Sequence, residues 1–299
     1  MKTHRQVNRS LFVWSTVALL LTCTVACSTT PSPEQVKRQA EAKARQETAI
    51  RMWKERCATK AGVKIHRTVD NVDGIFLMKI RPDGIMNYGD QFKMDDPYGK
   101  DSTGDRYILN FLKGYYHQRT DEKVTPGNPP REGYRFVEAV DPKDGQRYRY
   151  TAGMKVVGQK DTSAPAVMAE LARNPSYDIN IRAFMLDKVP ANGPHPRYGV
   201  TYEDISTHEE REYWIAGSSL RVVDLQTNAV IAERIGYMVD WAQGSTAGFR
   251  SPWLFAADNA CPSFQWNPNI PLTSGTGGGS SQQAGQALIF VEQVLKPSK

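Results

Sequence analysis

The sequence predicts an α+β fold, with an N-terminal helix packed on a mainly antiparallel β-sheet body built from hairpins. Three observations carry this expectation. Val36, Ala40, Ala44, Ile50, Trp53, Cys57 and Ala61 recur mostly three and four residues apart, which makes one apolar stripe along a helix. Further on, short β-branched and aromatic runs are separated by turn dipeptides such as Asp73-Gly74 and Asp144-Gly145. These runs follow one another closely, which favours hairpins over a βαβ array.

The helix has a clear start. Ser32 can cap it, Pro33 suits its first position and Gln35 can close a capping box. Gly62 is its expected stop. Residues 34–60 hold eight bases and four acids, so its other faces are basic. Such a helix can touch anionic headgroups or stand as a solvated face of the body.

From Lys64 the stretch "KIHRTVDNVDGIFLMKI" reads as strand, turn, strand, and "RYILNFL" as a short apolar element. "HQRTDEKVTPGNPPREG" has the Pro, Gly and charge content of an exposed loop. "YRFVEAVDPKDGQRYRYTA" is a hairpin turning at Asp144-Gly145, and Ala164 to Arg173 a short helix. Four strands follow in "YDINIRAFML", "RYGVTYEDI", "REYWIAGSSLRVVDL" and "AVIAERIGYMVD", the last two joined through Gln226-Thr227-Asn228. Residues 273–285 are a Gly/Ser-rich linker, and 286–299 a docked C-terminal segment, helix or strand.

Residues 1–10 carry Lys2, Arg5 and Arg9 without an acid, and Leu11 to Leu21 are mostly apolar. That run is much shorter than the ~20 residues a transmembrane helix needs, and has the layout of a secretory signal. It ends in Thr24-Val25-Ala26-Cys27, which resembles the lipobox of bacterial lipoproteins. Thr24 stands where leucine is usual, and Cys23 competes but follows the poorer Thr22. The resemblance covers residues 1–28 only. It implies a signal peptide over 1–26, an acylated Cys27 and a tether over 27–33 that leads into a body over 34–272. Two acyl chains hold a protein at a membrane without a spanning helix. Ser28 after the cysteine implies outer-membrane sorting in a Gram-negative cell, with the body in the periplasm or at the cell surface.

Removing the signal takes the net charge from +6 to about +3, because Lys2, Arg5 and Arg9 leave with it. An exported chain with both signs interspersed is not expected to bind nucleic acid. Cys57 and Cys261 then remain beside Cys27, and in an oxidising compartment they are expected to pair.

The motifs of catalysis are incomplete. "GMKVVGQK" has Gln159 where a P-loop needs lysine, and Gly275 to Gly279 lacks both strand and lysine. "THEERE" has Glu212 where a zinc protease needs its second histidine, and it joins two expected strands. His66, His117 and His195 are scattered. Asp95, Asp96, Asp101 and Asp105 share one loop without EF-hand spacing, and read as an acidic surface rather than a calcium site. Gly217-Ser218-Ser219 lacks the second glycine of a nucleophile elbow. No catalytic residue, metal or cofactor is therefore assigned. Trp241, Phe249, Trp253, Phe255, Phe264 and Trp266 form an irregular aromatic segment, either a binding surface for an envelope protein or glycan or a local core. The sequence points to a non-enzymatic envelope lipoprotein that binds or scaffolds another envelope component. The alternatives are a cell-wall or glycan hydrolase, and an accessory lipoprotein of a secretion or conjugation apparatus.

Overall fold

The computed structural model describes residues 31–82, 89–99, 103–113, 133–263 and 285–298. Residues 1–26, Cys27, the 117–132 stretch, Asp101, Phe264, Trp266 and nearly all of the 273–285 linker lie outside them. The described elements are α1 (Pro33–Thr59), β1 (Gly62–Ile65), β2 (Val69–Val72), β3 (Gly74–Leu77), α2 (Gly104–Lys113), β4 (Phe136–Val140) and β5 (Arg147–Gln159). They continue with α3 (Pro165–Arg173), β6 (Asn180–Pro190), β7 (Tyr198–Asp204), α4 (His208–Glu212), β8 (Ile215–Asp224) and β9 (Ala229–Val239). The last are α5 (Pro252–Ala256), β10 (Ala260–Cys261), α6 (Gln286–Val294) and β11 (Leu295–Pro297). The chain divides into two units, one ending at Lys43 and the other beginning at Ala44.

In the first unit the expected capping box is present. The Gln35 amide donates to Ser32 Oγ at 3.2 Å, and the Ser32 amide to Gln35 Oε1 at 2.8 Å. Lys37 pairs with Glu41 at 3.9 Å and Arg38 with Glu34, so two of its bases are neutralised along the helix. Val36 is exposed. Burial along α1 begins at Ala49, one residue off the expected stripe, and continues with Met52 and Trp53, while Val36, Ala40 and Ala44 stay exposed because the Ala half has too little apolar area to hold a partner surface.

The second unit is built on a mixed, largely antiparallel sheet. Among the described residues nine strands form it, in the order β1-β9-β8-β7-β3-β4-β5-β6, with β10 also on β9. The later hairpins are as the turn chemistry predicts. β4 and β5 pair antiparallel around Gly145, whose φ is +70°. β8 and β9 pair antiparallel across the 225–228 turn, where Asn228 takes a φ of +56°.

The "KIHRTVDNVDGIFLMKI" stretch is not a hairpin. It yields three strands with three different partnerships. β1 lies antiparallel on β9, β2 lies parallel to β11 in a separate small sheet, and β3 enters the main sheet parallel to both β4 and β7. Gly74 is needed for close approach, because a Cβ there would stand 2.3 Å from the Phe136 ring. β3, α2 and β4 thus make one βαβ unit, a departure from an all-hairpin body.

One face of the sheet is covered by α2 and α6. Tyr107, Ile108 and Phe111 from α2, and Leu288, Phe290 and Val291 from α6, pack on Ile75, Leu77, Val137, Val200 and Val222. The other face is covered at the β8–β9 end by the later turns of α1, where Ala49, Met52 and Trp53 meet Ile215, Tyr237 and Val239. Trp53 Nε1 donates to the Tyr237 carbonyl at 3.3 Å. Cys57 and Cys261 are joined as a disulfide, with Cα atoms 5.6 Å apart, which ties α1 to β10.

Asp224, at the end of β8, is buried and accepts hydrogen bonds from both Arg197 and Arg67. Arg197 first, and then Arg67, hold its carboxyl down at about 2. A depressed carboxyl stabilises the fold above its unfolded value near 3.9, and this contribution is lost as pH falls through about 2. Asp224→Asn is therefore expected to lower the melting temperature by several degrees at pH 7. The gap to wild type should close between about pH 4 and pH 2. Thermal melts by circular dichroism across that range check this, and a gap independent of pH would contradict it.

Candidate functional site

β3, β4, β7 and β9 run in the same direction, so their carboxyl ends share one edge of the sheet. Three of these ends carry an aspartate that turns the chain. Asp141 accepts from the Lys143 amide at 2.9 Å, Asp204 from the Ser206 amide at 2.9 Å, and Asp240 from the Ala242 amide at 3.2 Å. Each is also neutralised by a cation: Asp141 by Lys188 at 2.8 Å, Asp204 by Arg211 and Asp240 by Arg250. The result is a hydrogen-bonded rim beside two features, an aromatic loop after β9 and a cleft after β3 and β4.

The aromatic loop is braced by Asp240. Besides Ala242, its carboxylate takes the Gly244 amide at 2.9 Å and the Arg250 guanidinium. Gly244 has a φ of +80°, and a Cβ there would stand 2.3 Å from the Trp214 ring, so the bend requires glycine. Phe249 is fully exposed at the tip and holds a φ of +62°, an unfavourable conformation for a bulky residue. Trp241 and Phe255 are 42 % and 40 % exposed, and Arg250 lies over the Phe255 ring at 5.3 Å. Trp253 is a correction to the expected surface. It is fully buried, packs on Trp214 at 5.0 Å between ring centres and donates to the Asp90 carbonyl at 3.0 Å. The segment thus divides between surface and core, because Trp253 lies on the inner side of the short helix α5.

The cleft has a volume of about 230 Å³. Ile80, Ile108 and Pro142 line it, as do Asp105 in the first turn of α2, Lys143, Asp141 and Tyr150. Tyr150 is 3 % exposed, and burial, with Asp141 nearby, pushes its hydroxyl up to about 12. Asp141 is held below the ordinary carboxylate range by the Lys188 ammonium and the Lys143 amide.

The residues of the expected acidic loop separate. Asp95 pairs with Lys79 at 2.9 Å, Asp96 is buried against Arg81 at 2.8 Å, and Asp105 stands at the cleft. Among the described residues no group of three His, Cys, Asp or Glu side chains is placed to hold a metal. The "THEERE" stretch does contain a helix, the single turn α4, because Thr207 and Glu210 close a capping box around it. His208 on it is exposed and faces Glu212 at 3.6 Å. Gly153 to Gln159 lie in β5 as extended strand rather than as a loop, and Ser218 and Ser219 lie in β8. His195 stacks on Phe76 at 5.5 Å.

Cleft residues Asp141, Lys143 and Tyr150 drew no attention in the sequence. Their signal was local: an aspartate directly after a strand, followed two residues later by a backbone amide it can accept from. Comparisons with protein-family models, curated proteins and solved structures give no match.

Proposed function

We propose that this protein is a non-enzymatic lipoprotein of the cell envelope. Cys27 would anchor it at the outer membrane, and its body would hold another envelope component through the aromatic loop. The observation that carries the reading is Phe249, a bulky side chain kept fully exposed and at positive φ on a loop braced by a buried carboxylate. A fully exposed aromatic buries no apolar area where it stands, and backbone strain of this kind is concentrated at functional sites. No helix among the described residues is long and apolar enough to cross a membrane.

A glycan hydrolase needs a carboxylic acid that keeps its proton near neutral pH. In the cleft the buried carboxylate, Asp141, is shifted the other way, and the one carboxyl that burial pushes up among the described residues, Asp96, does not line the cleft and is paired with Arg81 at 2.8 Å. An accessory role in a secretion or conjugation apparatus draws support from one feature. The β5–β6 arm carries Val156, Val157 and Ile181 exposed, and α3 at its end buries no side chain.

The test uses the full chain in intact cells with a photocrosslinking amino acid at position 255. A single reproducible protein adduct is expected. Phe249→Ser should reduce that adduct roughly tenfold, the loss of one aromatic anchor, while leaving the melting temperature unchanged. Cys27→Ser should release the protein from the membrane fraction. An adduct indifferent to Phe249, or membrane fractionation that survives Cys27→Ser, would overturn the corresponding half of the proposal.

A further inference from the structure

The cleft beside α2 is separate in residues and chemistry from the aromatic loop. It lies beyond the carboxyl ends of the adjacent parallel strands β3 and β4, the position where open sheets containing parallel strands leave a crevice for ligands. Its volume of about 230 Å³ is below the ~300 Å³ at which drug-sized pockets begin, so it suits a ligand the size of one or two amino-acid residues.

Three of its polar groups are open to a ligand. Asp105 and Lys143 are exposed and enter no ion pair within 4 Å among the described residues, although the Lys143 charge also acts on Asp141, and the Tyr150 hydroxyl opens on the cleft. Tyr150 matters most. Its ring is buried, while its hydroxyl oxygen keeps access to solvent through the cleft. Its hydroxyl stays protonated at any physiological pH, so it presents a fixed donor to the cleft.

We propose that this cleft binds a small zwitterion, a free amino acid or a short unblocked peptide. The ligand's ammonium would pair with Asp105, and its carboxylate with Lys143 and the Tyr150 hydroxyl. The neighbouring groups argue against the alternatives. A phosphate would meet two carboxylates, Asp105 and Asp141, and the Arg81 guanidinium that also lines the cleft is already paired with Asp96 at 2.8 Å. A divalent cation would find Asp141 already taken by Lys188 and the Lys143 amide. A neutral sugar would find no aromatic face to stack on, since the Tyr150 ring is buried. Only a ligand with both signs uses both free charges.

The experiment is a calorimetric and NMR titration of the purified full chain in detergent micelles with glycylglycine. Saturable binding with Kd on the order of 0.1–1 mM is expected. N-acetyl-glycylglycine, which lacks the ammonium, and glycylglycinamide, which lacks the carboxylate, should each bind roughly tenfold more weakly, the loss of one charged hydrogen bond. Asp105→Asn and Lys143→Met should each reproduce one of these losses while removing sensitivity to the corresponding cap. Both side chains are exposed, so neither change should alter the melting temperature. Tyr150→Phe should weaken binding without changing the preference between caps. No saturable binding of glycylglycine, equal binding of the capped analogues, or saturation by N-acetylglucosamine instead would overturn the proposal. None of these outcomes bears on the Phe249 adduct, so the two readings fail independently.

Discussion

Arg81→Met is expected to be among the most damaging single substitutions in this protein, costing about 3–5 kcal/mol at pH 7. Arg81 and Asp96 are both buried and pair at 2.8 Å. The guanidinium also donates to the Asp96 carbonyl at 3.3 Å and lies 3.9 Å over the Tyr202 ring. Its own carbonyl accepts the Gly104 amide at 2.7 Å, which joins β3 to the start of α2. Removing the cation leaves a carboxylate stranded where exposure is 0 %. Burial pushes the Asp96 carboxyl up, and the Arg81 guanidinium is the main group opposing that push. In the variant the folded state therefore holds the proton more tightly than the unfolded chain. The sign follows: the destabilisation is small below pH ~4, and grows as pH rises from there through the folded value. The double variant Arg81→Met/Asp96→Leu should recover most of the loss, because a buried ion pair is often replaceable by apolar side chains while half of one is not. Urea denaturation at pH 4 and pH 7 separates these cases. Equal loss at both pH values, or a double variant worse than either single, would show that the pair is not the origin of the effect.

Removing the disulfide is the second large change. Cys57 and Cys261 are 204 residues apart, so the bond closes most of the second unit into one loop. In the chain-entropy model a loop of that size contributes about 4–5 kcal/mol, by restricting the unfolded chain. Cys57→Ser/Cys261→Ser is expected to lower the melting temperature by roughly 10–15 °C. The bond also holds α1 to the sheet at its far end from Ala49, so α1 should lose amide protection first. Melting of the oxidised protein, the reduced protein and the double variant by circular dichroism checks the magnitude. A variant that melts with wild type would mean that the contacts of Ala49, Met52 and Trp53 hold α1 by themselves.

Much of the frame was legible before any coordinates. Ser32 with Gln35 announces the start of α1 because a capping box is a contact between residues three apart. The Asp144-Gly145 and 225–228 turns announce their hairpins because one residue in each, Gly145 and Asn228, adopts positive φ at low cost. Cys57 and Cys261 could pair in only one way once Cys27 was assigned to the anchor. The failures are of a different kind. β1, β2 and β3 each satisfied the local pattern of a strand, but their partners lie far along the chain: β9, β11, and the pair β4 and β7. Trp253 and Phe249 belong to one aromatic run and are alike in composition, yet one is core and the other fully exposed.

The sequence by itself determined the class of fold, the start of α1, the position of α3, the later hairpins and the disulfide, because each depends on neighbouring residues or on a count. Only the tertiary structure decided that β3 runs parallel between β4 and β7, that four strand ends share one edge, and that Asp105, Asp141, Lys143 and Tyr150 meet in one cleft. Those outcomes depend on which apolar faces are buried against each other across long separations, and spacing along the chain carries no record of that choice.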